Sequence, residues 1–121
     1  MNLYKILIAL LILSIVACRN DDKQRTKLMG HWNLTHGELN DNAAPSLEKV
    51  FFEFNKDSVR TNFTLSEQEE SGLLIVNDKK MIQKTAEPIE YEVEEITDST
   101  LEMTTTLRGS DFRLTLKKEV K

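Results

Sequence analysis

The sequence predicts an all-β domain: a small eight-stranded antiparallel up-and-down barrel, set behind a signal helix and a flexible tether. Three observations carry that expectation. Past Lys27 apolar residues alternate with polar ones and seldom recur at helical spacing. The alternating runs are short and separated by turn-rich tetrads such as Asn55-Lys56-Asp57-Ser58 and Arg108-Gly109-Ser110-Asp111. Such connections are too short for the crossover that parallel strands need, and an antiparallel meander with one apolar face removes its edges by closing on itself.

The first strand runs from Leu28 to His36, with Leu28, Gly30, Trp32 and Leu34 on one side. Val50, Phe52 and Phe54 alternate with Phe51 and Glu53, and beyond the 55–58 tetrad Val59, Thr61, Phe63 and Leu65 alternate with Arg60, Asn62 and Thr64. Two such runs about one tight turn make a hairpin. Gly72 to Val76 is a short continuous apolar strand, turned by Asn77-Asp78-Lys79 into Lys80 to Lys84. Pro88 cannot donate to a ladder and breaks the chain. Ile89, Tyr91 and Val93 then alternate with Glu90, Glu92 and Glu94, a half-buried strand with a wet acidic face. Thr97-Asp98-Ser99 leads into Leu101, Met103, Thr105 and Leu107, and the 108–111 tetrad into Phe112, Leu114 and Leu116. The one long connection, His36 to Glu48, is placed to cap one end of the barrel.

The N-terminus has a different character. Met1-Asn2-Leu3-Tyr4-Lys5 precedes an apolar run from Ile6 to Val16 that only Ser14 interrupts. At ~1.5 Å per residue that run cannot cross a hydrocarbon core of ~30 Å, so it reads as a secretory signal rather than a transmembrane helix. The junction Ile15-Val16-Ala17-Cys18 resembles the lipobox of bacterial lipoproteins, with Ile where Leu is commoner. The resemblance implies diacylglycerol on Cys18, cleavage before it and acylation (palmitate) of the new N-terminus. Residues 1–17 are then the signal peptide, 18–27 a polar tether and 28–121 the barrel domain. Asp21-Asp22 resemble the acidic export signal of surface lipoproteins in the Bacteroidetes, which implies an outer-membrane protein facing outward; a merely solvated spacer accounts for them equally well.

Removing 17 of 121 residues leaves 104, one domain's worth of chain. Lys5 leaves with the signal, so 15 basic and 20 acidic side chains remain, a balance of −5. That surface offers no electrostatic footprint for nucleic acid. Cys18 is the sole cysteine, so once it is acylated no thiol remains for disulfides, catalysis or thiolate metal sites.

Leu28-Met29-Gly30-His31-Trp32-Asn33-Leu34 resembles the opening strand of lipocalins and lipocalin-like domains, whose signature Gly-x-Trp is matched by Gly30 and Trp32. The later rhythm of short strands is similar to the lipocalin-like domains of Bacteroidetes lipoproteins. The resemblance implies a structural role at the barrel floor: Gly30 bends the chain and Trp32 plugs the bottom, under an arginine from a late strand, for which Arg113 and Arg108 are the candidates. Lipocalins that hold sizeable ligands are usually longer. An eight-stranded barrel is just wide enough to be filled by side chains or to hold one small ligand. Phe52, Phe54, Phe63, Tyr91, Met103 and Phe112 are the candidates to line such a ligand site, and they could equally fill the interior.

Other chemistry is weakly signalled. His31 and His36 fall on opposite faces of a regular strand and so cannot share a metal without a bulge. Glu67 to Glu70 and Glu87 to Glu95 read as solvated faces, with no Asp-x-Asp-x-Asp-Gly calcium loop. No nucleophile elbow, HExxH or Gly-rich phosphate loop is present, so neither an enzyme nor a cofactor is expected. Asp57-Ser58-Val59 and Asp98-Ser99-Thr100 resemble the O-glycosylation acceptor of the Bacteroidetes, which makes Ser58 and Ser99 candidate sugar sites. Two functions fit: an envelope lipoprotein, attached to the membrane through Cys18, whose barrel binds a small apolar molecule or a partner protein, or a packed-core accessory or inhibitor module with no pocket.

Overall fold

The computed structural model describes residues 23–120. The expected signal peptide, the candidate lipid-attachment residue Cys18 and Asp21-Asp22 lie outside the described residues. Nine strands form one sheet: β1 (Gly30–Leu39), β2 (Asn42–Ala43), β3 (Phe51–Phe54), β4 (Ser58–Thr61), β5 (Glu70–Asn77), β6 (Lys80–Lys84), β7 (Ile89–Ile96), β8 (Thr100–Leu107) and β9 (Ser110–Lys118). From β3 onward each strand pairs antiparallel with the next, and β1 pairs with both β3 and β9. Setting aside the two-residue β2, which adds to β1 outside the ring, eight of the nine strands close an antiparallel up-and-down barrel.

The turns explain why the chain reverses where it does. Arg108 and Gly109 join β8 to β9 with φ of 52° and 79°, and Asn40 and Asp41 join β1 to β2 at 49° and 67°. Both central residues are left-handed in each, the two-residue loop whose twist matches the flanking strands. The open end gathers the 37–50 connection, the 62–69 loop and the β6–β7 and β8–β9 turns. The floor gathers the start of β1, the end of β9 and the turns after β3, β5 and β7. A short 3₁₀ helix, Pro45–Leu47, lays Leu47 over β1 at the open end. A Cβ at buried Gly37 would stand only 3.0 Å from Leu47 Cδ1.

Three local features depart from the sequence reading. Residues 23–28 are helical where an irregular tether was expected to run to Lys27, and Leu28, expected on a strand, is fully buried beneath the barrel. The strand expected to reach Leu65 ends at Thr61. There Asn62 takes over the ladder: its Oδ1 accepts from the Phe51 N–H at 3.0 Å and its Nδ2 donates to the Lys49 carbonyl at 2.9 Å. Phe63 still turns inward, while Leu65, expected inside, is only half-buried. Finally, the β1–β9 register slips between Leu34 and His36, a β-bulge that places Thr35 and His36 both on the outside.

Arg108 carries a Cβ in a left-handed position that Asn or Gly occupies more readily. Arg108→Asn is expected to stabilise the domain by up to about 1 kcal/mol, a rise in Tm of roughly 4–8 °C, read by thermal denaturation. An unchanged or lower Tm would contradict this account of the turn.

Candidate functional site

The floor is built by residues close in sequence to the Gly-x-Trp. Trp32 is fully buried, and its Nε1 donates to the Leu28 carbonyl at 2.7 Å, so the indole seals the barrel and caps the helical turn at once. Lys118, paired with Trp32 across β1 and β9, carries its Nζ 5.0 Å from the centre of the Trp32 ring and donates to the Lys27 carbonyl at 3.1 Å. Gly30 has a φ of 130°, and a Cβ there would meet the Lys118 stem at 3.4 Å. The backbone shape and the approach of Lys118 therefore both call for glycine. Arg25 ties the turn across the floor, donating to the carbonyls of Lys56 at 3.1 Å and Leu74 at 3.3 Å.

Above the floor the side chains offered by the sequence as ligand-lining pack on one another. Phe52 is the hub: its ring lies 5.7 Å from Phe54, 6.2 Å from Phe63 and 5.7 Å from Tyr91. Phe63 continues the cluster to Tyr91 at 6.2 Å and to Phe112 at 5.5 Å. These spacings and tilts are those of favourable aromatic pairs. Phe52, Phe54, Tyr91 and Met103 are fully buried or within about a percent of it, whereas Phe112 is half-buried at the rim. The sequence reading missed one member of this interior. Gln83 is fully buried; its Nε2 donates to the Phe63 carbonyl at 2.9 Å and to Thr85 Oγ1 at 3.1 Å, while Tyr91 donates its hydroxyl to Gln83 Oε1 at 2.6 Å. The signal was available: Gln83 shares strand parity with buried Met81. Among the described residues no buried side-chain nitrogen or oxygen lacks a partner. Burial holds the Tyr91 hydroxyl well above its usual range, because a phenolate there would be stranded from water.

The open end is latched by charge and hydrogen bonds. The Glu70 carboxylate accepts from Ser66 Oγ at 2.6 Å and from the Ala86 N–H at 2.9 Å, which joins the 62–69 loop to the β6–β7 turn. Those two donors hold Glu70 below the ordinary carboxylate range. An open depression of ≈ 630 Å³ runs over the rim onto the outer wall; Ile89, Tyr91, Leu107 and Phe112 line it together with polar residues such as Glu90 and Arg113.

The remaining candidates are dispersed. His31 stacks on Phe51 at 5.3 Å and its ring nitrogen lies 3.2 Å from Asn33 Oδ1, on the outer wall. The bulge turns His36 outward as well, where it sits 3.5 Å from Glu38; the expectation of opposite faces is thereby corrected. Among the described residues no group of three or more His, Cys, Asp or Glu is placed to hold a metal. Ser99 is exposed in the β7–β8 turn, while Ser58 is half-buried at the start of β4.

No family model and no curated protein matches the chain. Solved structures do. A lipocalin-like protein from Bacteroides uniformis superposes with a TM-score of 0.58 at 15% identity, covering 77% of this chain and 99% of its own. An uncharacterised protein from Bacteroides eggerthii gives 0.55 at 16%, covering 76% and 99%. The fold is lipocalin-like.

In this lipocalin-like barrel neither arginine expected over the tryptophan is there. Arg108 sits at the tip of the β8–β9 turn, at the opposite end from Trp32, and Arg113 lies on the outer wall bonded to Glu102. Lys118 covers the indole instead. Its parity with Phe112, Leu114 and Leu116 on β9 points it inward at the floor, a signal the search for an arginine passed over.

Two predictions follow from this geometry. Lys118→Met, which keeps the stem and removes the charge, should destabilise the domain by about 0.5–1 kcal/mol in urea unfolding, while Lys118→Arg should retain stability. The chain has two tyrosines, Tyr4 and Tyr91, so in the Tyr4→Phe variant the titration of Tyr91 is directly observable. Its folded pKa is raised, so it is neutral in both states below the unfolded value of about 10. Above that value only the unfolded chain ionises, and stability falls as pH rises. Phenolate absorbance should therefore appear together with alkaline unfolding; a phenolate forming in the folded protein near its ordinary pKa would mean that water reaches the interior.

Proposed function

We propose that the chain is a lipid-anchored recognition module of the outer membrane, without catalytic activity, that works through its exterior. The observation that carries this reading is the aromatic cluster: Phe52, Phe54, Phe63, Tyr91 and Phe112 use their faces and edges on one another, with Met103 buried in the same core. An eight-stranded barrel leaves room for side chains or for a small ligand, and the ring-on-ring contacts favour side chains. The anchor rests on the lipobox residues Ile15 to Cys18, and Asp21-Asp22 add an outward address in the same proposal. Of the two candidate sugar acceptors, exposed Ser99 is better placed for an enzyme to reach than half-buried Ser58.

A second reading, a small apolar molecule held at the open end, is favoured by one feature. Half-buried Phe112 and Leu107 line the open depression together with buried Ile89 and Tyr91. Native mass spectrometry of the protein purified from its host separates the two. The first reading predicts the acylated polypeptide with no stoichiometric apolar companion. A co-purifying apolar molecule lost on Phe112→Ala would overturn it in favour of the second. Fatty-acid labelling that is present in the wild type and absent in Cys18→Ser tests the anchor itself.

A further inference from the structure

Among the described residues five large apolar side chains are exposed; Leu39, at 37%, ends β1 at the open end, and the other four lie elsewhere. Met29, at 44% exposure, precedes β1 at the floor, and Val120, at 84%, follows β9 there; Leu73 at 63% and Ile75 at 38% face outward from β5, which descends to the floor at Asn77. Ile75 pairs directly with Ile82, which faces outward from β6, so three apolar side chains form one patch on the lower barrel wall. Lys84 stands opposite Leu73 at the upper end of the patch, Lys80 closes the lower edge opposite Asn77, and exposed Lys56 lies in the turn below β4; Asp57 beside Lys56 and Asp78 in the β5–β6 turn are the acidic neighbours. One strand further round the wall turns acidic: Glu92 pairs with Lys80 and Glu90 with Ile82.

The chain enters the domain on that same side. Arg25, in the helical turn, donates to the carbonyls of Lys56 and Leu74, and it lies 3.8 Å from Asp57. Between Cys18 and Lys23 there are five residue steps, 23 minus 18, whose fullest reach is about 18 Å. A lipid on Cys18 therefore cannot let the floor stray far from the bilayer surface. An apolar patch edged by lysines is what such a surface accepts: the aliphatic groups enter the boundary region and the ammonium groups reach back to phosphates.

We propose that the lower β5–β6 wall, Leu73, Ile75 and Ile82 edged by Lys56, Lys80 and Lys84, rests on the bilayer that holds Cys18. The open end then faces away from the membrane. The acidic β7 wall fixes the roll of the barrel, because an anionic surface repels Glu90 and Glu92. The proposal rests on the lipid-anchor reading, and the acidic open end, with Glu48, Glu67, Glu69 and Glu87, becomes the surface presented outward.

The test uses the full acylated chain in vesicles of phosphatidylethanolamine and phosphatidylglycerol. Leu73→Cys, Ile75→Cys and Glu87→Cys each carry an environment-sensitive fluorophore; all three side chains point outward, so the core is untouched. With protein floating alongside the vesicles, a lipid-borne quencher should quench the labels at 73 and 75 severalfold more than the label at 87. If the protein floats but all three labels respond equally and remain open to an aqueous quencher, the orientation is wrong and the anchor stands. Failure to float, with the near-ultraviolet spectrum of a folded barrel intact, removes the anchor and the orientation with it. Shielding at 73 and 75 that appears only when envelope proteins are added would replace the bilayer by a protein partner and overturn the proposal.

Discussion

Strands that each bond only to the next along the chain make an open sheet; what makes this one a barrel is the pairing of β1 with β9, from Trp32 opposite Lys118 to Leu39 opposite Phe112. β1 also pairs with β3 over Gly30 to Asn33 and with β2 at its far end. It can hand itself from one neighbour to another because the bulge after Leu34 bends it. The same strand carries the floor. Gly30, Trp32 and the Lys118 facing them set the closure and seal it with one group of contacts. Loss of that seam would expose the apolar faces of every other strand.

Closure fixes the width of the interior, and width decides what the interior can hold. Stacked and edge-on rings about Phe52 take up the middle, and the Tyr91–Gln83–Thr85 chain of hydrogen bonds satisfies the polar atoms among them. A buried polar chain with every member paired holds one arrangement firmly, since a shift of any strand would leave a donor stranded. The outside of the barrel is strongly differentiated: apolar and basic along the outer β5–β6 wall, acidic along β7 and at the open end.

Much of this was legible from residue order. Alternation located most strands of the barrel, because a half-buried strand must alternate, and it named the inward phenylalanines correctly; Gly72 to Val76 read only as a continuous apolar run, which hid that Leu74 and Val76 point inward while Leu73 and Ile75 face out. What escaped were features set by distant partners. The helical turn at 23–28 depends on Leu28 entering the floor and Arg25 finding carbonyls at 56 and 74, none of which has a local signature. Asn62 ends β4 by bonding to Lys49 and Phe51, and the bulge at Thr35 has no compositional mark. Whether six inward side chains line a cavity or fill one depends on ring tilts and strand stagger, which periodicity does not encode. The lipid anchor was read from a junction that lies outside the described residues.

The central claim is that the barrel is dry and filled by its own side chains. Xenon tests it most directly, since the gas enters apolar cavities in proteins and needs no chemical match. In crystals of the domain pressurised with xenon, no atom should bind inside the ring of strands. Xenon lodged among Phe52, Phe63, Tyr91 and Phe112 would contradict the account and restore the interior as a ligand site.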